Sequence, residues 1–241
     1  MLTVNLDRLG LKPRDWLLDA GCGGGRHCFG ALDRGVHTVG LDLDAPSLRI
    51  ARAGIHERRG RAPGLLHGGV LRGDVFHLPF RDGCFDRVIC SEVMEHVHDW
   101  RGAARELARV VKPEGKVAIT IPTATSEQLY LRLGDDYFES PGGHIRIFSP
   151  RTLARGLLEV GLATTGVGFA HALHTPYWAL RSIAGLPKAD QSRLVRAYRS
   201  FLLRATQSPL LERLEKALNY VCPKSVVLYA EKSVRAAAPA S

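Results

Sequence analysis

The chain has 241 residues, of which 45% are hydrophobic, and a formal net charge of +9. That size fits one α/β domain with an elaboration and allows a sizeable buried core. Its five cysteines form no CxxC pair, and no apolar run approaches the ~20 residues that span a bilayer. These features exclude a disulfide frame, a cysteine zinc site and a membrane-spanning protein, and argue for reduced thiols in the cytoplasm. The positive charge favours an anionic partner: a phosphorylated substrate, an anionic membrane surface or nucleic acid. It fits an arginine-rich proteome equally well.

Met1 to Gly10 lacks the apolar core of a signal peptide, so the expectation is a cytoplasmic chain, free or held at a membrane surface. Trp16 to Ala20 reads as a first strand, followed at once by the turn Gly21-Cys22-Gly23-Gly24-Gly25. Glycines there let the backbone turn sharply and approach a ligand closely. Arg26 to Asp33 reads as a helix closed by Gly35, and Thr38 to Asp42 as a second strand. A helix follows over Pro46 to Gly54, with Asp44 as N-cap. Arg58 to Gly69 reads as a loop or frayed helix end, Val70 to Asp74 as strand three and Asp86 to Cys90 as strand four. Trp100 to Val111 carries apolar residues three and four apart, as a helix does, and a turn at Lys112-Pro113-Glu114-Gly115 leads into strand five, Lys116 to Ile121. Residues 123–150 are polar and suit a cover over the sheet edge. Pro150 to Val160 reads as a helix, Thr164 to Ala170 as strand six and Ser225 to Glu231 as strand seven. Residues 171–224, between the last two strands, are too many for a hairpin loop and predict a helical insert. Leu194, Tyr198, Phe201 and Leu202 share one helical face there, with Arg193, Arg196 and Arg199 off it.

Strands alternating with helices predict a mostly parallel, doubly wound sheet of Rossmann-like α/β type over the whole chain. Ligands of such sheets bind at the carboxyl ends of the strands. Asp19, Asp42, Asp74 and the pair Ser91-Glu92 all fall at strand ends, far apart in sequence, and would meet at that one edge. The turn alone is a weak dinucleotide signature, because Arg26 stands where GxGxxG requires its third glycine.

Taken as a set, these segments resemble the class I S-adenosylmethionine-dependent methyltransferases, of the type 11 group. Leu18 to Gly25 looks like their first motif, and Gly40-Leu41-Asp42 like their second strand end. Gly73-Asp74-Val75 with Leu78-Pro79-Phe80 looks like their third motif, Phe85 to Val97 like their fourth, and Leu107 to Gly115 like the helix and turn before strand five. The resemblance covers residues 11–122, with Pro113-Glu114-Gly115 departing slightly from the commoner Pro-Gly-Gly. It implies a seven-stranded sheet with helices on both faces and S-adenosylmethionine as cofactor, with S-adenosylhomocysteine as its product. It implies that Gly21, Cys22 and Gly23 approach the methionine part, that Asp19 orients its amino group directly or through water, and that Asp42, with Leu43 beside it, accepts from both ribose hydroxyls. Asp74 and the Val75 amide would hold the adenine, with the Cys90 carbonyl and Ser91 near the sulfonium. Each residue taken singly also reads as a turn residue or helix cap.

After strand four, Glu92, Glu95 and His96 have spacings that place them on one helix face, where they could bind a divalent metal. The segment is similar to that of ubiquinone-biosynthesis O-methyltransferases; the alternative is a helix cap packed under the cofactor without metal. Gly142 to Pro150 resembles the cover after strand five, and places His144 near the ligand edge as a general base, with His96 and Glu92 as further catalytic candidates. The alternative is a histidine that only fastens the cover. Tyr137, Arg146, His171, His174, Tyr177 and Trp178 are candidate acceptor contacts, with Asp135 and Asp136 nearby; Tyr177 and Trp178 could instead fill core.

The reading is methyl transfer to a small-molecule acceptor: a hydroxyl of a natural product, glycan or lipid-linked compound. N- or C-methylation is the alternative. Nucleic-acid methylation rests on charge alone, a nicotinamide oxidoreductase lacks the third glycine, and a cofactor-binding scaffold subunit would keep the motifs without chemistry.

Overall fold

The computed structural model describes residues 2–61, 66–134, 143–205 and 208–233. Seven strands form one sheet: β1 (Trp16–Ala20), β2 (His37–Asp42), β3 (Gly68–Arg72), β4 (Phe85–Ser91), β5 (Val111–Pro122), β6 (Leu162–Ala170) and β7 (Ser225–Lys232). Their order is β3-β2-β1-β4-β5-β7-β6, all parallel except β7, which is antiparallel to both neighbours. The chain winds outward from β1 through β2 to β3, then returns to the other side at β4. This reversal opens a crevice at the carboxyl ends of β1 and β4.

Alternating side chains divide the sheet between two helical layers. Leu17, Ile89, Ala118 and Val227 pack with α1 (Leu6–Leu9) and α2 (Arg26–Leu32). Leu18, Val88, Val117 and Leu228 pack with α4 (Trp100–Val110) and α6 (Pro150–Glu159). Helix α3 (Ala45–Arg61) packs beside α2 through Leu48, Ile55, Cys28 and Leu32 and reaches Val70 of β3, and α5 (Ala124–Leu133) follows β5. The insert between β6 and β7 holds α7 (His174–Ala184), a 3-10 helix at Leu186–Gln191, α8 (Arg193–Ala205) and α9 (Pro209–Leu218). Short polar side chains start several of these helices. Asp44 accepts from the Ser47 amide at 2.9 Å, Asp99 from the Gly102 amide at 2.9 Å and Thr123 from the Ser126 amide at 3.3 Å.

Four local expectations are corrected. Helix α3 does not stop at Gly54; that glycine is needed because a Cβ there would collide with the Phe29 ring, and the helix runs on to Arg61. Strand β3 ends at Arg72, two residues before Asp74, and Gly73 turns inward by donating to the Asp42 carbonyl at 3.1 Å. Strand β5 begins at Val111, and the turn at Glu114 (φ +60°) is absorbed as an irregularity in its pairing with β4. After β4 no full helix forms before Trp100. Glu92 adopts φ +56°, which breaks a helical run, and only Met94–His96 makes a 3-10 turn.

Candidate active site

A cavity of about 890 Å³ opens at the carboxyl ends of β1, β2 and β4, a size typical of small-molecule sites. Its walls are the glycine turn with Arg26 and His27, Asp42 and Leu43 after β2, residues 73–76 after β3, Ser91 to Val93 after β4, and His96 to His98. Gly21, Gly23 and Gly25 of the turn all hold positive φ. Gly21 has φ +77°, and a Cβ there would collide with Val93 Cγ2 across the cavity floor. The Gly23 amide donates to Asp42 Oδ2 at 2.7 Å, and the Asp44 amide to Asp42 Oδ1 at 2.8 Å. Both carboxylate oxygens are thereby aimed, and each keeps a lone pair for a ligand. Asp74 is oriented by the Phe76 amide, 3.0 Å from Oδ1. Ser91 Oγ lies 3.0 Å from Thr120 Oγ1.

Asp19 and Cys90 do not line this cavity. Asp19 is fully buried under the turn, where the Cys28 thiol donates to Oδ2 at 3.5 Å and His27 Nδ1 lies 3.8 Å from Oδ1. Burial pushes the Asp19 carboxyl up to about 7 and the His27 imidazole down to about 3. The Asp19 side chain packs on α2, while His27 lines the cavity. The Cys90 side chain lies in the sheet core, with its thiol pushed upward by burial.

Glu92, Glu95 and His96 do not share a helix face. The left-handed backbone at Glu92 sends its carboxylate toward β5 and β7, where Thr120 Oγ1 donates to Oε1 at 2.9 Å and Lys224 Nζ to Oε2 at 2.8 Å. Burial opposes ionisation of Glu92, but the ammonium of Lys224 outweighs it and holds the carboxyl below its ordinary range. The cluster that does form is Glu95, His96 and His144, with one ligand atom of each within 4.8 Å of the others. Glu95 is buried, and neither oxygen has a hydrogen-bond partner among the described residues. Burial first, and the Glu92 carboxylate second, push its carboxyl well above the usual range. His144 Nδ1 lies 2.7 Å from Glu127 Oε2, and its ring meets that of His96 edge-on at 4.8 Å. His96 Nδ1 is 3.2 Å from the Gly143 carbonyl. A carbonyl and a carboxylate can only accept, so both Nδ1 atoms carry a proton. His96 lines the cavity, and His144 stands beside it.

The remaining acceptor candidates separate. Arg146 donates to the His98 carbonyl at 2.8 Å and braces the cavity rim. His171, His174, Tyr177 and Trp178 are absent from this cavity's walls. Helix α7 packs on α5 and α8, so Tyr177 stacks near Tyr198, and Arg181 lies over the rings of Tyr177 and Trp178. Tyr177 packs in the insert's own core with Leu173, Leu202 and Ala205. His171 and His174 form a separate cluster with Glu215. Tyr137, Asp135 and Asp136 lie outside the described residues.

Glu127 and Lys224 escaped the sequence reading. Glu127 follows the cap Thr123 on the buried face of α5 with Tyr130, a charged residue at a core position, which is a legible signal. Lys224 gave none, because its partner lies 132 residues away.

The sequence pattern of a methyltransferase domain matches residues 18–119. The ubiquinone biosynthesis O-methyltransferase of Aromatoleum aromaticum is 32% identical over 154 residues, 61% of this chain and 64% of that protein, so the chain spans just under two thirds of it. The enzyme of the same name from Chromobacterium violaceum is 30% identical over 162 residues, 64% of this chain and 68% of that protein. The chain belongs to the class I S-adenosylmethionine-dependent methyltransferases. A solved putative methyltransferase from Bacillus halodurans shares the fold, with TM-score 0.63 and 20% identity, over 95% of this chain and 97% of that one. The cavity of this methyltransferase suits its cofactor: at Gly21 a Cβ would meet the Val93 side chain, and the carboxylates of Asp42, Asp74 and Glu92 line the walls. Among the described residues, no helix is long and apolar enough to cross a membrane.

Proposed function

We propose that this protein transfers the methyl group of S-adenosylmethionine to a hydroxyl oxygen of a small acceptor, with His144 as the base. The observation that carries this reading is the His144–Glu127 pair, 2.7 Å apart beside the cavity-lining His96. The bound cofactor supplies an electrophilic methyl on a positively charged sulfur. As the acceptor oxygen forms its bond to that methyl, its proton passes to His144 Nε2, and the methyl–sulfur electron pair stays with sulfur. The buried Glu127 carboxylate fixes the His144 tautomer and stabilises the imidazolium that results. Asp42 holds the ribose hydroxyls, Asp74 the adenine, and the Gly21–Gly23 turn lies against the methionine part.

The relatives' names point to quinone biosynthesis, which makes a ring hydroxyl the first acceptor to try. The insert suits an acceptor carried at an anionic surface, because Leu194 and Leu203 are exposed on α8 among Arg193, Arg196 and Arg199. Turnover should be measured with a polyprenylated catechol in phosphatidylglycerol vesicles, a sugar and an amine, on the wild type, His144→Ala and Glu127→Gln. The expected result is turnover on the catechol, a loss of about 10²-fold or more in kcat for His144→Ala, and unchanged affinity for S-adenosylhomocysteine. Retention of more than about a third of kcat by His144→Ala removes the base from the reading. Failure of the wild type to bind S-adenosylhomocysteine removes the reading entirely.

A further inference from the structure

We infer that His171, His174 and Glu215 form a binding site for a divalent transition metal of the zinc type, separate from the cofactor cavity. The three residues come from three elements: the residue after β6, the first residue of α7 and the middle of α9. One ligand atom of each lies within 4.8 Å of the other two. His174 Nδ1 and Glu215 Oε1 are 3.9 Å apart. Zinc bonds of about 2.0–2.2 Å in a tetrahedron put two ligand atoms roughly 3.3–3.6 Å apart, so the His174–Glu215 pair closes with a shift of a few tenths of an ångström and the other pairs with about 1.5 Å at most.

The atoms that would bind are the ones left without partners. His171 Nδ1, His174 Nδ1 and Glu215 Oε1 are all buried and make no hydrogen bond. His171 is only 6% exposed and Glu215 only 2%. An unpartnered carboxylate in such a place is costly unless a cation neutralises it, and among the described residues the one ion pair of Glu215 is the loose contact with His174. The surroundings orient the ligands. His171 Nε2 lies 2.9 Å from Thr3 Oγ1, which leaves Nδ1 as the free nitrogen, as outer partners do for metal-bound histidines. The His171 backbone is held at φ +66°, with its carbonyl accepting from the His174 amide at 2.9 Å and the Ala172 amide donating to Asn219 Oδ1 at 2.9 Å. Strain of this kind persists where its surroundings enforce it. Two imidazoles and one carboxylate select a borderline metal over calcium or magnesium, which favour all-oxygen sets. A cavity of about 410 Å³, walled in part by His171 and Glu215, leaves room for a fourth ligand such as water. The metal would clamp α7 and α9 to the end of β6.

Full-length, tag-free protein stripped with chelator is titrated with zinc chloride by calorimetry, and with cobalt chloride by visible absorption. The wild type is expected to bind one zinc at this site, to show the d–d bands of tetrahedral cobalt, and to gain roughly 5–10 °C in Tm at a hundredfold excess over Kd. His174→Ala and Glu215→Gln, checked for folding by circular dichroism, should weaken zinc at least tenfold. His96→Ala, in the other cluster, should leave that affinity and the cobalt spectrum in place. The inference is overturned if the wild type binds no zinc, if His174→Ala and Glu215→Gln bind it like the wild type, or if only His96→Ala loses it.

Discussion

Asp19 and His27 make opposite demands on pH, and the structure lets the two be separated. Asp19 is buried with its carboxyl raised from 3.8 to about 7, and His27 is buried with its imidazole lowered from 6.5 to about 3. Between pH 3.8 and 6.5 the folded chain holds a proton on Asp19 and none on His27; the unfolded chain does the reverse. Stability rises with pH wherever the unfolded state binds more protons. His27 alone therefore makes stability rise with pH across this window, Asp19 alone makes it fall, and together they cancel. Each removed group exposes its partner. Asp19→Asn should gain stability relative to wild type as pH rises from 4.5 to 6, by about 2 kcal/mol at 1.36 kcal/mol per proton and pH unit. His27→Gln should lose a similar amount over the same interval. For a chain of this size that is roughly 4–8 °C in Tm, in opposite directions. Thermal melts of the three proteins at half-unit steps read the differences directly, and the other titrating groups drop out because they are common to all. Two difference curves that run flat, or slope the same way, would refute the paired burial.

Asp42→Asn removes the charge but keeps the shape that the Gly23 and Asp44 amides hold. It should weaken S-adenosylhomocysteine about tenfold to a hundredfold in calorimetry, because hydrogen bonds to a charged group contribute about 1.5–3 kcal/mol; binding within threefold of wild type contradicts the ribose role. Gly21→Ala imposes a left-handed residue at about 1–2 kcal/mol and a collision with Val93 at about 1–3 kcal/mol. A fall of roughly 4–20 °C in Tm is expected. Val93→Ala in the same background should restore about half of it, and a double variant no more stable than the single one would show that the collision is not the cause.

The strand ends were legible because parallel sheets gather them at one edge, so Asp42, Asp74 and Ser91 could be placed at the ligand site without knowing a single contact. Asp19 misled for the same reason. It sits at a strand end, but the pleat points its side chain into the α2 layer, and one residue of register decides that. Glu92 misled because spacing was read as helix, whereas a left-handed backbone turned it toward Lys224. Tyr177 has the character of a ligand wall, yet α7 docks it against Tyr198 of α8, a tertiary contact no local pattern records. His171 and His174 were noticed as a pair, but their third member stands on α9, beyond two intervening helices.

Both ends of the insert are tied to the ligand edge of the sheet, and this bears on how an acceptor could reach the cavity. The Lys224 amide donates to the Ala170 carbonyl at 3.1 Å, and its own carbonyl accepts from Thr123 at 2.8 Å, so the insert leaves and rejoins the sheet at one point. From there the Lys224 ammonium reaches Glu92 on the cavity wall. Helix α5, which follows Thr123 directly, carries Glu127 to His144. A displacement of the insert's root would therefore disturb the Glu92 pair and the start of the helix that orients the base. Ile183 on α7 and Leu194 and Leu203 on α8 are exposed to solvent. An acceptor engaged at those exposed side chains, as proposed above, would leave the proposed base and its partner in place, as a transfer governed by positioning requires.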